Sequence, residues 1–203
     1  MPNYKIISDF YDTLDVVYFR NKQRSPRTAM LDMIPNNPVR VLDVCAGTCS
    51  NSVLIAQNRP QAKVTALDLS AEMLSVAEQK FHKHGITNIE TIVADARDTW
   101  LAANSFDVII MSLVLHEIDE RPRMAIFEEV KRLLSDEGVI IVVEWEQPIK
   151  LFQRFVFTPI KQFEPAGFMA FLRLDLTSYF ENAGFMVLEK QSCDYTQVYK
   201  LSK

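Results

Sequence analysis

The sequence predicts an α/β protein, with a mostly parallel seven-stranded sheet, helices on both faces and an antiparallel hairpin at the C-terminal end. Three observations predict it. Strand-like and helix-like segments alternate five times, and parallel strands need crossover helices of this kind, which cover both faces of their sheet. The first two strand-like runs, Val39-Arg-Val-Leu-Asp43 and Lys63-Val-Thr-Ala-Leu-Asp68, each carry aliphatic and β-branched residues into an acid and then give way to a helix-like stretch. Residues 185–203 are two strand-like runs separated by Cys193-Asp-Tyr-Thr196, with no helix between them.

In chain order, helices are expected at residues 6–20 and 25–34, ended by the breaker Pro35-Asn-Asn-Pro38. Strands follow at 39–44, 63–67, 90–94, 106–112, 139–145, 185–192 and 197–201. Helices are expected between them at 50–59, 71–84, 121–134 and 174–183. Gly85 and Gly184 directly follow two of these helices, where a left-handed cap suits glycine, and Gly138 falls in the turn before the strand at 139. The 203 residues read as one domain. Its parts are an N-terminal helical lid (1–38), a ligand-binding core (39–146), an insertion on the acceptor side (147–173) and the C-terminal helix with its hairpin (174–203).

Composition narrows the function classes. A chain that is 48% hydrophobic and 24% charged has ordinary globular composition. The net charge of -4 argues against a large nucleic-acid footprint. No apolar run approaches the roughly 18 residues of a membrane span, and Met1 to Asp9 has no signal-peptide core, so a cytoplasmic protein without stable membrane insertion is expected. Three cysteines, two of them in one loop, make no disulfide framework and fit a reducing compartment.

The two strand-end acids point to chemistry. A carboxylate at the tip of the second strand can accept hydrogen bonds from both hydroxyls of a ribose, so Asp68 suggests an adenosine-containing ligand. The plain structural alternative is that each acid caps the next helix, although Ser70 is better placed for that than Asp68. Gly47, in the loop after the first strand, lets a bound molecule approach the backbone.

Five ordered segments then carry a resemblance: Val41-Leu-Asp-Val-Cys-Ala-Gly-Thr-Cys49, Ala66-Leu-Asp-Leu-Ser-Ala-Glu-Met-Leu74, Val93-Ala-Asp-Ala96, Phe106-Asp-Val-Ile-Ile-Met-Ser112 and Leu134-Ser-Asp-Glu-Gly-Val139. Together they resemble a class I S-adenosylmethionine-dependent methyltransferase of Rossmann-like fold, and the first is especially similar to the loop of the ubiquinone/menaquinone-biosynthesis methyltransferases. The resemblance implies S-adenosylmethionine as cofactor. It places Asp43 and the loop of Cys45, Ala46 and Gly47 at the methionine end, Asp68 on the ribose, Asp95 on the adenine amino group, and Leu69 and Met73 beside the adenosine. Ala96, Met111 and Tyr11 complete the expected cofactor-binding set, and no metal is expected. Where many members have glycine, this chain has Cys45 and Cys49. These read as small-residue replacements; the alternative, a metal or redox pair, lacks clear histidine partners.

Methyl transfer from a sulfonium is an in-line displacement that depends on positioning and water exclusion. Where the acceptor must lose a proton, a base is needed, and Leu113-Val-Leu-His-Glu-Ile118 offers His116 first and Glu117 second. The alternative for His116 is packing beside the helix at Arg121 with no chemical role. Glu144 and Glu146 are expected at the same rim, as ligand contacts or as solvated edge residues. Residues 151–171 carry Phe152, Phe155, Phe157, Phe163, Phe168 and Phe171, which suggests a small apolar or aromatic acceptor, with core packing as the alternative. Tyr4, Tyr11 and Tyr18 form a helical stripe that closes over the cofactor or belongs to the core. The Asn/Asp-Pro-Pro-Tyr/Phe box of nucleic-acid amino-methylating enzymes does not follow the fourth strand. The expected partner is a small-molecule methyl acceptor, not nucleic acid, with the chain a monomer or homodimer. Two other classes stay open: a nicotinamide-dependent oxidoreductase, whose Gly-x-Gly-x-x-Gly loop is absent, and a non-catalytic binding protein of the same fold.

Overall fold

In the computed structural model, residues 25–148, 157–158 and 167–203 are described. The helix expected at 6–20, the stripe of Tyr4, Tyr11 and Tyr18, and Phe152, Phe155 and Phe163 lie outside them. The described strands are β1 (Arg40–Val44), β2 (Lys63–Asp68), β3 (Ile89–Val93), β4 (Phe106–Ser112), β5 (Leu134–Trp145), β6 (Met186–Ser192) and β7 (Thr196–Ser202). The helices are α1 (Pro26–Met33), α2 (Ser50–Asn58), α3 (Ala71–His84), α4 (Glu120–Leu133), α5 (Phe168–Phe171) and α6 (Leu176–Asn182), with a 3₁₀ turn at Leu115–Glu117. The sheet order is β3-β2-β1-β4-β5-β7-β6. The first five strands run parallel, and β7 enters antiparallel between β5 and β6, as the C-terminal hairpin predicts.

The central strands are apolar on both faces because helices cover both. On one side Leu42, Ile109, Met111, Ile140 and Val142 pack with Phe127 of α4 and Phe180 of α6. On the other, Val41, Val108, Ile110 and Ile141 pack with Ala29, Met30 and Met33 of α1. Helix α4 buries Ile126, Phe127, Val130 and Leu133, the three-and-four spacing of a single helical stripe, and each large side chain contributes about 1.5 to 3 kcal/mol. Helix α3 starts at Ser70, whose Oγ accepts from Met73 N at 3.2 Å, and stops at Gly85 in the left-handed region with φ +63°.

One boundary differs from expectation. Strand β5 begins at Leu134, directly from α4, rather than at 139. Leu134 pairs with Phe106 and Val139 with Val108, so the register shifts across Ser135 to Gly138 while the chain stays in the sheet. Gly138 is needed in this bulge, because a Cβ there would lie 2.8 Å from the Leu134 side chain. None of the described helices is long and apolar enough to cross a membrane.

Candidate functional site

The order β3-β2-β1-β4-β5 reverses direction between β1 and β4, and at such a switch point a crevice opens beyond the carboxyl ends of the strands. A cleft of about 530 Å³ lies there, walled by the loops after β1, β2, β3 and β4 and by the first turns of α1. That volume is in the range of small-molecule sites. The loop after β1 is fixed by three backbone-donated bonds: Ala46 N to Leu67 O at 3.0 Å, Cys49 N to Ala46 O at 2.8 Å, and Gly47 N to Asp68 Oδ2 at 2.8 Å. The other Asp68 oxygen accepts from Ser70 N, also at 2.8 Å. Each oxygen is thus aimed by one amide and keeps further acceptor capacity.

The Gly47 backbone has φ +54°, and a Cβ built on it would meet nothing within 4 Å, so the loop is an open cradle. Cys45 and Cys49 share this left-handed conformation, with φ of 56° and 57°. The structure therefore shows why glycine suits both places, and a non-glycine residue there costs on the order of 1 kcal/mol or more. Cys45 is only half-buried, whereas Cys49 is sealed among Ala66, Leu74, Ala77 and Phe81. Opposite signs are expected on replacement. Cys45→Gly should be neutral or stabilising by up to about 1 kcal/mol, while Cys49→Gly should destabilise by about 1 kcal/mol, as lost packing outweighs released strain. Urea unfolding of the two variants checks this. Burial, assisted by the Asp68 and Asp43 charges, pushes the Cys45 thiol up to about 12, and burial raises Cys49 as well. Burial beside the Asp43 and Asp68 charges disfavours the thiolate form at both positions. All three cysteines are free, and no group of three metal-ligating side chains occurs among the described residues.

The other expected site residues divide clearly. Cys45, Ala46, Gly47, Asp68, Leu69, Met73, Asp95, Ala96 and Glu117 all border the cleft. Leu69 is 71% exposed at the cleft rim. Asp95 accepts from Arg97 Nε and from Arg97 N, both at 2.9 Å, and these bonds hold its carboxyl down at about 2.

Three expectations need correction. Asp43 does not line the cleft. It is buried behind the loop, where Ser52 Oγ donates to it at 2.6 Å. Met111 points to the opposite side of β4, into the core beside Leu42 and Phe127, and its neighbour Ser112 reaches the cleft instead. His116 is 4% exposed, and its Nδ1 lies 2.7 Å from Glu144 Oε2. Its ring meets Phe168 edge-on at 5.3 Å, so it packs in the interior rather than facing the cleft. Tyr11 lies outside the described residues.

Nor is Glu144 a rim residue. It is fully buried, and its Oε1 accepts from Val114 N at 3.0 Å and Leu115 N at 2.6 Å. Glu146 borders the hairpin, with its N donating to Tyr195 O at 2.8 Å. Of the described phenylalanines in 151–171, Phe157 and Phe168 pack with Trp145, and Phe171 joins the main core. Sequence reasoning missed Arg27, Met30, Ser112 and Leu113 on the cleft wall. Leu113 has φ +54°, and nothing in a leucine codon announces a left-handed backbone.

Burial lifts the Asp43 carboxyl from 3.8 to about 6, with the Ser52 hydrogen bonds and, more weakly, the Arg27 charge acting the other way. The folded state therefore keeps a proton that the unfolded chain releases, so this contribution to stability is present below pH 3.8 and is lost as pH rises to about 6. Its full size is about 3 kcal/mol at most. Asp43→Asn is expected to flatten the pH dependence of the urea midpoint across that window. An unchanged slope would remove Asp43 as its source. Glu129, held down at about 2 chiefly by its Arg132 hydrogen bonds, gives the opposite trend, its contribution being lost as pH falls from 4.5 toward 2.

A family model for a methyltransferase domain matches residues 41–138, from β1 into β5 and across every loop of the cleft. Demethylmenaquinone methyltransferase of Geobacillus stearothermophilus is 31% identical to the chain over 144 residues, 70% of this chain and 61% of that protein. The same-named protein of Listeria welshimeri is 30% identical, with 60% of its length covered. The chain therefore spans about three fifths of the length of the curated relatives it matches. A SAM dependent methyltransferase from Aquifex aeolicus superposes with a TM-score of 0.75 at 20% identity, over 99% of this chain and 98% of that one, a likeness of fold. The sheet has the Rossmann-like arrangement that the resemblance implied, antiparallel C-terminal hairpin included.

Proposed function

We propose that the chain is an S-adenosylmethionine-dependent methyltransferase acting on a small apolar or aromatic acceptor. The observation that carries this is Asp68, whose two oxygens are aimed by the amides of Gly47 and Ser70 at the edge of an open cradle. In this reading the Asp68 carboxylate accepts from both ribose hydroxyls, Asp95 lies at the adenine edge, and Leu69 and Met73 cover the adenosine. The Gly47 backbone borders the amino-acid end. Asp43 acts indirectly, anchoring the start of α2 through Ser52. When bound, the cofactor supplies an electrophilic methyl group on a sulfonium.

The acceptor half is walled by Leu113, Val114, Ile118, Pro122, Ile126 and Val143, which exclude water and suit an apolar ring. Glu117 is the carboxylate on that wall, so it, rather than His116, takes the proton of a hydroxyl or acidic carbon. The relatives' name specifies demethylmenaquinone, an apolar aromatic molecule, which fits this class of acceptor. We take 39–146 as the cofactor-binding core of a cytoplasmic protein that acts as a monomer or homodimer.

Thermal unfolding with S-adenosylhomocysteine or NADH tests the reading. At 100 times Kd a ligand adds about 2.7 kcal/mol, which raises Tm by several degrees in a domain of this size. A rise with S-adenosylhomocysteine is expected, and a rise with NADH alone would reject the proposal.

A further inference from the structure

Resting on the reading above, we infer that Arg27, at the start of α1, receives the carboxylate of the cofactor's amino-acid end. S-adenosylmethionine and its product carry an α-carboxylate, yet three of the side chains on the cleft wall, Asp68, Asp95 and Glu117, are themselves carboxylates. A ligand carboxylate among them needs a cation. Among the described residues of the wall the cations are Arg27 and Arg97. Arg97 lies against Asp95, its guanidinium bonded to both carboxylate oxygens, at the β3 side of the cleft. With the ribose on Asp68 of β2 and the adenine toward Asp95, the amino-acid end extends the other way, over the β1 loop. Arg27 is on that side: it lines the cleft from α1, which packs on Val41 of β1, Val108 of β4 and Ile141 of β5, away from β3.

Local structure sets Arg27 at the cleft wall. Ser25 caps α1 by accepting from Arg27 N at 3.3 Å, and its carbonyl accepts from Thr28 N at 3.1 Å and Ala29 N at 3.2 Å. The first amides of the helix are thus occupied, leaving recognition to the side chain. Pro26 fixes the entry of the helix, and Pro26 and Met30 share the cleft-facing side with Arg27. A guanidinium matches a carboxylate bidentately, so arginine suits this position better than lysine.

The test uses two ligands that differ at that end. S-adenosylhomocysteine has the amino acid; 5′-methylthioadenosine lacks it and keeps the adenosine. Isothermal titration of the full chain should show Arg27→Ala weakening S-adenosylhomocysteine by about tenfold or more while 5′-methylthioadenosine changes less than about twofold. The second ligand reports that the adenosine site has stayed intact. Equal losses for both ligands, or no loss for either, would overturn the role of Arg27 while leaving the proposed function in place. Failure of the unsubstituted chain to bind either ligand would overturn both.

Discussion

Asp68→Ala is expected to lower the affinity for S-adenosylhomocysteine by at least about 1.5 to 3 kcal/mol, roughly 10- to 150-fold, the scale of hydrogen bonds to a charged group. Two losses combine. The ribose hydroxyls lose a charged acceptor, and the amides of Gly47 and Ser70 lose the carboxylate that ties the β1 loop to the β2 tip. Asp68→Asn separates them, since the amide oxygen still accepts one of these bonds while the charge is gone; its loss should be intermediate. Isothermal titration reads both, and unchanged affinity in Asp68→Ala would count directly against the ribose role.

The second large effect is on stability. Glu144 is fully buried, and it gathers Val114 N and Leu115 N on one oxygen and His116 Nδ1 and Trp145 N on the other. Glu144→Ala removes the acceptor that all of these groups share, and removing one partner of such a buried group costs about 3 to 5 kcal/mol. Glu144→Gln retains an acceptor for the two turn amides and should cost less than half as much. Urea unfolding at neutral pH measures the difference. The same carboxylate holds the turn that carries Leu113 and Glu117 into the cleft, so the alanine variant should also bind cofactor product more weakly. Full stability in Glu144→Ala would show that the turn is held by other contacts.

The parts of this architecture that could be read from the sequence are those where local pattern and tertiary role coincide. Asp43 and Asp68 end runs of aliphatic residues, so strand ends and acids were visible together, and a short helix-free C-terminal stretch announced the hairpin. Helix α3 was bounded in advance at both ends because Ser70 and Gly85 are strong caps. Where two roles produce the same letters, pattern failed. In Val108-Ile-Ile-Met-Ser112 both faces of a central strand are apolar, so nothing local tells that Ser112 rather than Met111 faces the cleft. His116 beside Glu117 resembles a base with its acid; the partner that fixes it, Glu144, is 28 residues away in sequence. The bulge that carries β5 back to Leu134 was hidden because Ser135-Asp-Glu-Gly138 has the composition of a turn. Arg27 sits in an ordinary helical pattern, and only the packing of α1 brings it to the cleft.

A crystal structure of the complex with S-adenosylhomocysteine tests the central claim most directly. The account predicts the ribose hydroxyls within hydrogen-bonding distance of both Asp68 oxygens, the adenine between Leu69 and Asp95, and the amino-acid end over Gly47. Adenosine bound away from Asp68, or a cleft closed by the protein's own side chains with the ligand excluded, would contradict it.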